Sequence, residues 1–351
     1  MENCIEIQSV DEIIAQYAQE RIIVYCKKSH KRIIYLRKEG IEPMLKKATA
    51  GISLSKVVRK NWEIYLFLFP AVAYIFIFCY IPMYGVQIAF KDFRPTLGIW
   101  GSEWVGMKHF TRFVTGPFFW QIIRNTLSIT LYSMPVGFIL SIIFALFLNY
   151  QKNLAFKRIV QTVSYAPYFI STVVIVGLFL LLFSPSNGVI NIVIKMLGNE
   201  PINFMAEPSY FRHIYVWTGI WQGLGFSTII YIGALNGVSP ELHEAAIIDG
   251  ATIMKRIWHV DLPSISQTII ILLILNTGGF LSVGFEKIYL MQNSLNATVS
   301  EVISTYVYKQ GLLKSDYSFS SAVGLFNSFI NMCVLMSVNF IARKAGDTSL
   351  L

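Results

Sequence analysis

Charge is scarce in this 351-residue chain, and acid is scarcer than base: 14% of the residues are charged, with 20 Asp and Glu against 29 Lys and Arg. With 54% hydrophobic residues and a mean hydropathy of +0.55, it holds more apolar surface than a soluble protein of this length buries. Cysteine is nearly absent. Cys4, Cys26, Cys79 and Cys333 form no pair motif, which excludes a disulfide framework and leaves them as small apolar residues. The five histidines make no metal site: His243-Glu244 opens like a zinc-protease motif, but Ile247 stands where the second ligand belongs. No glycine-rich loop ends in Gly-Lys-Ser/Thr, so the chain has no such means of binding and hydrolysing ATP, and energy must come from a partner. No nucleophile, metal set or carboxylate pair recurs at one depth, which argues against an enzyme.

What is present is a series of apolar segments, each about long enough to cross a bilayer, for which about 20 residues are needed. They predict six transmembrane helices, near residues 65–81, 122–148, 160–183, 214–235, 266–290 and 322–342. Residues 1–60 lack the apolar core and small-residue cleavage site of a signal peptide. They carry a basic run from Arg21 to Lys60, which sets the N-terminus on the cytoplasmic side by the positive-inside rule. An even number of spans returns the C-terminus there, in agreement with Arg343 and Lys344, with Lys152, Lys157 and Arg158, and with Lys255 and Arg256. The first outward loop, with Lys91, Arg94, Lys108 and Arg112, weakens that asymmetry. Topology accounts for the net charge of +9, and no nucleic-acid partner is implied.

Between the fourth and fifth segments lies an ordered polar stretch, SPELHEAAIIDGATIMKRIWHVDLP, at 239–263. Ser239 is placed to cap a helix, Pro240 suits its first position, and Glu241 favours its positive end. Ala245 and Ala246 leave a bare face for close approach, Gly250 allows a turn, a second helix begins near Ala251, and Pro263 marks entry to the next segment. Glu244-Ala245-Ala246, three residues, Gly250-Ala251 and the closing Leu262-Pro263 resemble the EAA loop of permease subunits of bacterial ABC importers. One departure is Ile257, where many members carry an aromatic residue, but Trp258 follows at once. The resemblance implies an all-α polytopic membrane protein with six transmembrane helices and the type I ABC importer permease fold. It also implies a coupling helix seated on a separate ATPase, with Glu244, Ala245, Ala246, Asp249, Gly250, Ala251, Leu262 and Pro263 as the coupling residues.

The runs IPMYGVQIAFKDF at 81–93, GFEKIYL at 284–290 and VISTYVY at 302–308 resemble, more narrowly, permeases for complex oligosaccharides such as aldouronates. The likeness covers nearly everything after about residue 54. It implies a bacterial plasma-membrane importer with a second related permease, a pair of ATPase subunits that hold ATP and magnesium, and an extracytoplasmic solute-binding lipoprotein. No cofactor is expected on this chain. Residues 61–345 then form the permease domain, with the EAA loop at 238–263, and residues 1–60 a cytoplasmic extension. A usual permease start near Met44 makes the preceding part an extension or a start-site error. Two apolar bursts there, at 22–25 and 33–36, read as strands.

Polar residues inside a membrane are costly unless they pair or line a wet cavity. For a sugar path the candidates are Trp217, Trp221, Gln222, Asn276, Thr277, Phe280, Asn327 and Asn331, with rings to stack on a pyranose and amides to bond its hydroxyls. The same residue types also join helices or anchor at interfaces. Glu286 and Lys287 read as an interfacial pair or a contact for the binding protein. Gly278 and Gly279, with Pro82 and Pro135, read as points of bending or of close packing. The alternative class is a secondary transporter without an ATPase, which deep acidic residues would favour; few are present.

Overall fold

The computed structural model describes residues 62–345 and two short strands before them, β1 (Ile22–Val24) and β2 (Ile34–Leu36). The rest of the expected 1–60 extension, with the start near Met44, lies outside the described residues. The chain divides into two compact units, Met1–Tyr84 and Gly85–Leu351. In the first, the two bursts pair antiparallel with Ile22 opposite Leu36. Helix α1 (Trp62–Ile75) has no buried residue and is apolar all round, as a lipid-facing helix is. The helical run Trp62–Phe90 is long and apolar enough to cross a membrane.

The second unit opens with β3 (Lys91–Asp92) paired to β4 (Glu103–Trp104) and the short α2 (Lys108–Val114). Helix α3 (Phe119–Tyr150) follows, then α4 (Leu154–Tyr165), α5 (Thr172–Leu182), α6 (Val189–Met196) and α7 (Pro208–Asn236). Helix α3 packs along α7, and the two run in the same direction. Ile129 meets Ile214 and Val216 in one buried cluster, and Ala145 and Leu148 meet Tyr231 and Leu235 in another. Helices α4 and α5 make the return between them. A Cβ on Gly225 of α7 would overlap the Ser164 carbonyl of α4, so glycine permits that close crossing.

Two of the six predicted spans are broken. Helix α4, with a 3-10 turn at Ala166–Phe169, meets α5 at 102°. Pro167 lies in that turn, and Ser171 starts α5 by accepting from Val174 N at 3.4 Å. Near the fifth, α8 (Pro240–Ile248) and α9 (Ile253–Arg256) form the hairpin, and helix continues to Ser264 through a π turn at Ile257–Asp261. It meets α10 (Ser266–Thr277) at 64°. Helix α10 stops at Thr277, so the span expected at 266–290 is a 12-residue helix, a non-helical stretch and then α11 (Phe285–Met291). Helices α12 (Ile303–Tyr308) and α13 (Tyr317–Ala345) complete the unit.

Among the described residues three continuous helices are long and apolar enough to span, and five if each bent pair counts as one. The fourth expected segment lies in α7, whose 29 residues reach about 43 Å, but Trp217, Trp221, Gln222 and its glycines dilute its apolarity. By length and composition, three to five of the six expected spans are thus met among the described residues, in a mostly helical fold.

Candidate functional site

The hairpin α8–α9 is closed by a Schellman motif. Ala251 N donates to Ala246 O at 2.8 Å and Gly250 N to Ile247 O at 3.0 Å, with Gly250 at φ +72°, where an L side chain is strained. Ser239 does not cap α8 with its hydroxyl, as the sequence had suggested. Its carbonyl instead accepts from Leu242 N at 3.2 Å. The second helix starts at Ile253 rather than at Ala251, because Thr252 supplies the cap to Lys255 N at 3.4 Å.

A buried carboxylate ties this hairpin to the last residue of α3. Asp261 is fully buried, accepts from Tyr150 Oη at 2.6 Å, and faces His243 Nε2 at 3.4 Å. The Arg256 guanidinium lies 5.3 Å from the Tyr150 ring centre. Three elements thus converge on one side chain: α3 through Tyr150, α8 through His243, and the α9 helix through Asp261 and Arg256. Sequence reasoning missed this knot, since nothing local links Tyr150 to Asp261. Glu244, Ala245, Asp249, Gly250 and Pro263 lie exposed on the hairpin, with Ala246, Ala251 and Leu262 half-buried. Beside them Leu242, Ile247, Ile248, Ile253, Met254 and Trp258 form an exposed apolar surface, with Ile248 85% exposed.

Between α3, α7 and the α10–α11 segment lies a cavity of about 650 Å³. Small residues at four-residue spacing open it: Ser133, Gly137 and Ser141 on α3, and Gly219, Gly223 and Ser227 on α7. That spacing is visible in the sequence and is the signal by which these positions were findable. Asn276 and Phe280 line the cavity, while the other six candidates lie elsewhere. Trp217 donates to Tyr132 Oη at 2.8 Å, Trp221 packs on Phe179, and Gln222 donates to Ile170 O at 3.4 Å, where the break in the α4–α5 pair bares a carbonyl. Thr277 returns its hydroxyl to Ile274 O at 2.7 Å, and Asn327 Oδ1 is buried without a hydrogen bond. Asn331 holds the non-helical stretch, accepting from Leu281 N at 2.7 Å and donating to Ser282 Oγ at 3.1 Å. Gly278 and Gly279 thus sit where helix α10 ends.

Lys287 is not the interfacial residue its sequence position suggested. It is buried, 8% exposed, donates to Tyr215 O at 3.2 Å, and lines the cavity, because the end of α10 at Thr277 carries α11 back against α7. Away from the cavity, loop elements are tied to α13 and to one another: Arg112 pairs with Asp316 at 2.7 Å, and Phe93 N donates to Ser318 Oγ at 2.8 Å. Lys309 pairs with Glu301 at 2.5 Å. Lys108, donating to Asp92 at 2.5 Å, holds the Asp92 carboxyl below its ordinary value.

A family model described as the binding-protein-dependent transport system inner membrane component matches residues 137–347. The chain is 43% identical over 303 residues to protein LplB of Bacillus subtilis (strain 168), covering 86% of this chain and 95% of that one. It is 42% identical to YteP of the same organism, a polygalacturonan/rhamnogalacturonan transport system permease protein, over 84% of this chain and 91% of that one. Its fold matches, at TM-score 0.77 and 35% identity, a chain of a bacterial ABC transporter involved in the import of the acidic polysaccharide alginate, covering 83% of this chain and 98% of that one.

Proposed function

Because the chain belongs to the binding-protein-dependent transport system inner membrane components, we propose that its α8–α9 hairpin receives a separate ATPase and that its cavity forms half of a path for a sugar or oligosaccharide. The protein is a multi-pass inner-membrane permease component of an ABC transporter, not an enzyme. What supports the coupling role is the hairpin itself. Its exposed apolar residues offer a docking face, and the buried Asp261 link to Tyr150 makes displacement of that face a displacement of α3.

On this reading Glu244 pairs with a basic group of the ATPase, Ala245 and Ala246 permit close contact, and Gly250 holds the turn, with Asp249, Ala251, Leu262 and Pro263 completing the loop. The ATPase subunits carry ATP and magnesium, and a second related permease supplies the other half of the path. A solute-binding lipoprotein docks on outward loops such as residues 83–121 and 291–320. Six spans, with both termini in the cytoplasm, place the hairpin inside and those loops outside. ATP closes the ATPase dimer and draws the coupling helices together, so the cavity opens outward; hydrolysis returns it to face inward. A sugar or oligosaccharide cargo is supported by the transport roles named for the similar proteins and by the hydroxyl and amide groups of Ser133, Ser141, Ser227 and Asn276 along the cavity.

The test is affinity purification from native membranes after gentle solubilisation, with mass spectrometry of the retained proteins. Recovery of an ATPase and a second permease is expected. A protein free of any ATPase, under conditions that keep known importers whole, would overturn the reading.

A further inference from the structure

Of the 25 residues that line the cavity, Lys287 alone carries a charge. Its ammonium has three protons to donate and one acceptor, Tyr215 O at 3.2 Å, with the Tyr215 ring centre 5.2 Å away. Among the described residues no carboxylate forms an ion pair with it. A second group waits in the same lining: Thr130, 6% exposed, has a hydroxyl oxygen with no hydrogen-bond partner. Gly219 leaves room beside the ammonium: a Cβ there would stand 3.3 Å from Lys287 Nζ. It lies eleven residues into α7, about 16 Å from that helix's start, so the charge sits well inside the helix packing rather than at its end.

An unpaired cation at such depth is expensive, and such residues mark pathways for charged cargo. A neutral sugar satisfies the remaining N–H groups but leaves the charge uncompensated, whereas a carboxylate satisfies both. Resting on the oligosaccharide reading above, we infer that this cavity selects an oligosaccharide bearing uronic-acid units, with Lys287 as the counter-ion that holds a cargo carboxylate during passage. Thr130, Ser133 and Asn276 then serve its hydroxyls. No cavity-lining acid opposes this choice of sign.

The experiment uses the full complex of this chain, its partner permease, ATPase and binding protein in proteoliposomes. Tetragalacturonate is the anionic probe and xylotetraose the neutral one. Lys287→Met is expected to lower tetragalacturonate uptake at least about tenfold, as loss of one partner of a buried charge pair does. Lys287→Arg keeps most of it, and both variants retain ATPase assembly and the ATPase stimulation caused by docking of the loaded binding protein. A merely structural lysine would instead lower uptake and stimulation together, or neither. Unchanged tetragalacturonate uptake by Lys287→Met overturns the inference alone. So does wild-type import of xylotetraose with tetragalacturonate left outside, a comparison that decides the matter even where the Met variant fails to assemble. Import of neither probe by an assembled, ATP-hydrolysing complex overturns the oligosaccharide reading and the inference with it.

Discussion

Asp261 holds its place by what it accepts, a hydrogen bond from Tyr150 and the approach of His243, and it is fully buried. Asp261→Ala leaves the Tyr150 hydroxyl without that acceptor. A penalty of about 1–3 kcal/mol is expected, read as a lower melting temperature of the purified complex. Asp261→Asn keeps an oxygen for Tyr150 and retains most of the stability, so equal losses in the two variants would refute the hydrogen-bond account. Asp92 gives a pH dependence instead. Lys108 first, by its hydrogen bond, and His109 depress the carboxyl below its ordinary value. A carboxyl more acidic in the folded state contributes stability above its unfolded value, and that contribution is lost as pH falls through the folded value. At neutral pH it is fully present. Lys108→Gln therefore removes most of that contribution at neutral pH and flattens the loss of stability on the acid side, measured by the melting temperature across an acid series; an unchanged profile would show that the pair is too solvated to matter.

At the scale of elements, the hairpin depends on one backbone conformation. Gly250→Ala forces a side chain into the left-handed region at a cost of about 1–2 kcal/mol. Gly250→Pro forbids the conformation and also removes the N–H that donates to Ile247 O. It should leave membrane insertion intact and abolish binding-protein-stimulated ATPase activity in the assembled complex. Normal stimulation in that variant would falsify the coupling role. The broken pair α4–α5 makes a related point. Proline and a serine cap end one helix and begin another, and Gln222 from α7 meets the carbonyl this leaves. Gln222, a candidate for sugar contact by composition, is thus engaged in holding a bend.

For the whole molecule, the orientation read from the basic residues predicts a labelling pattern. A cysteine introduced at Trp258 on the hairpin, and a tag placed after Lys344, should react with membrane-impermeant reagents only once cells are permeabilised. Labelling of either site in intact cells would reverse the topology and overturn the proposal that the hairpin receives an ATPase.

The EAA pattern, the basic N-terminal run and the long apolar segments determined the family, the membrane setting and the place of the helical hairpin, because these rest on local composition and short spacing. Gly250 was legible for the same reason, as only a turn there explains a glycine between two polar helices. Span boundaries were less so: hydropathy sums over a window and does not register that a helix stops at Thr277 and that Asn331, far along the chain, holds the stretch beyond it. Tertiary structure alone decided which polar residues brace the backbone and which face the cavity, since α3 and α7 must pack before Gly137 and Gly219 share a wall. It alone decided that Lys287 lies inside with no acid beside it and that Asp261 joins Tyr150, because contacts between residues 72 and 111 positions apart leave no trace in local sequence.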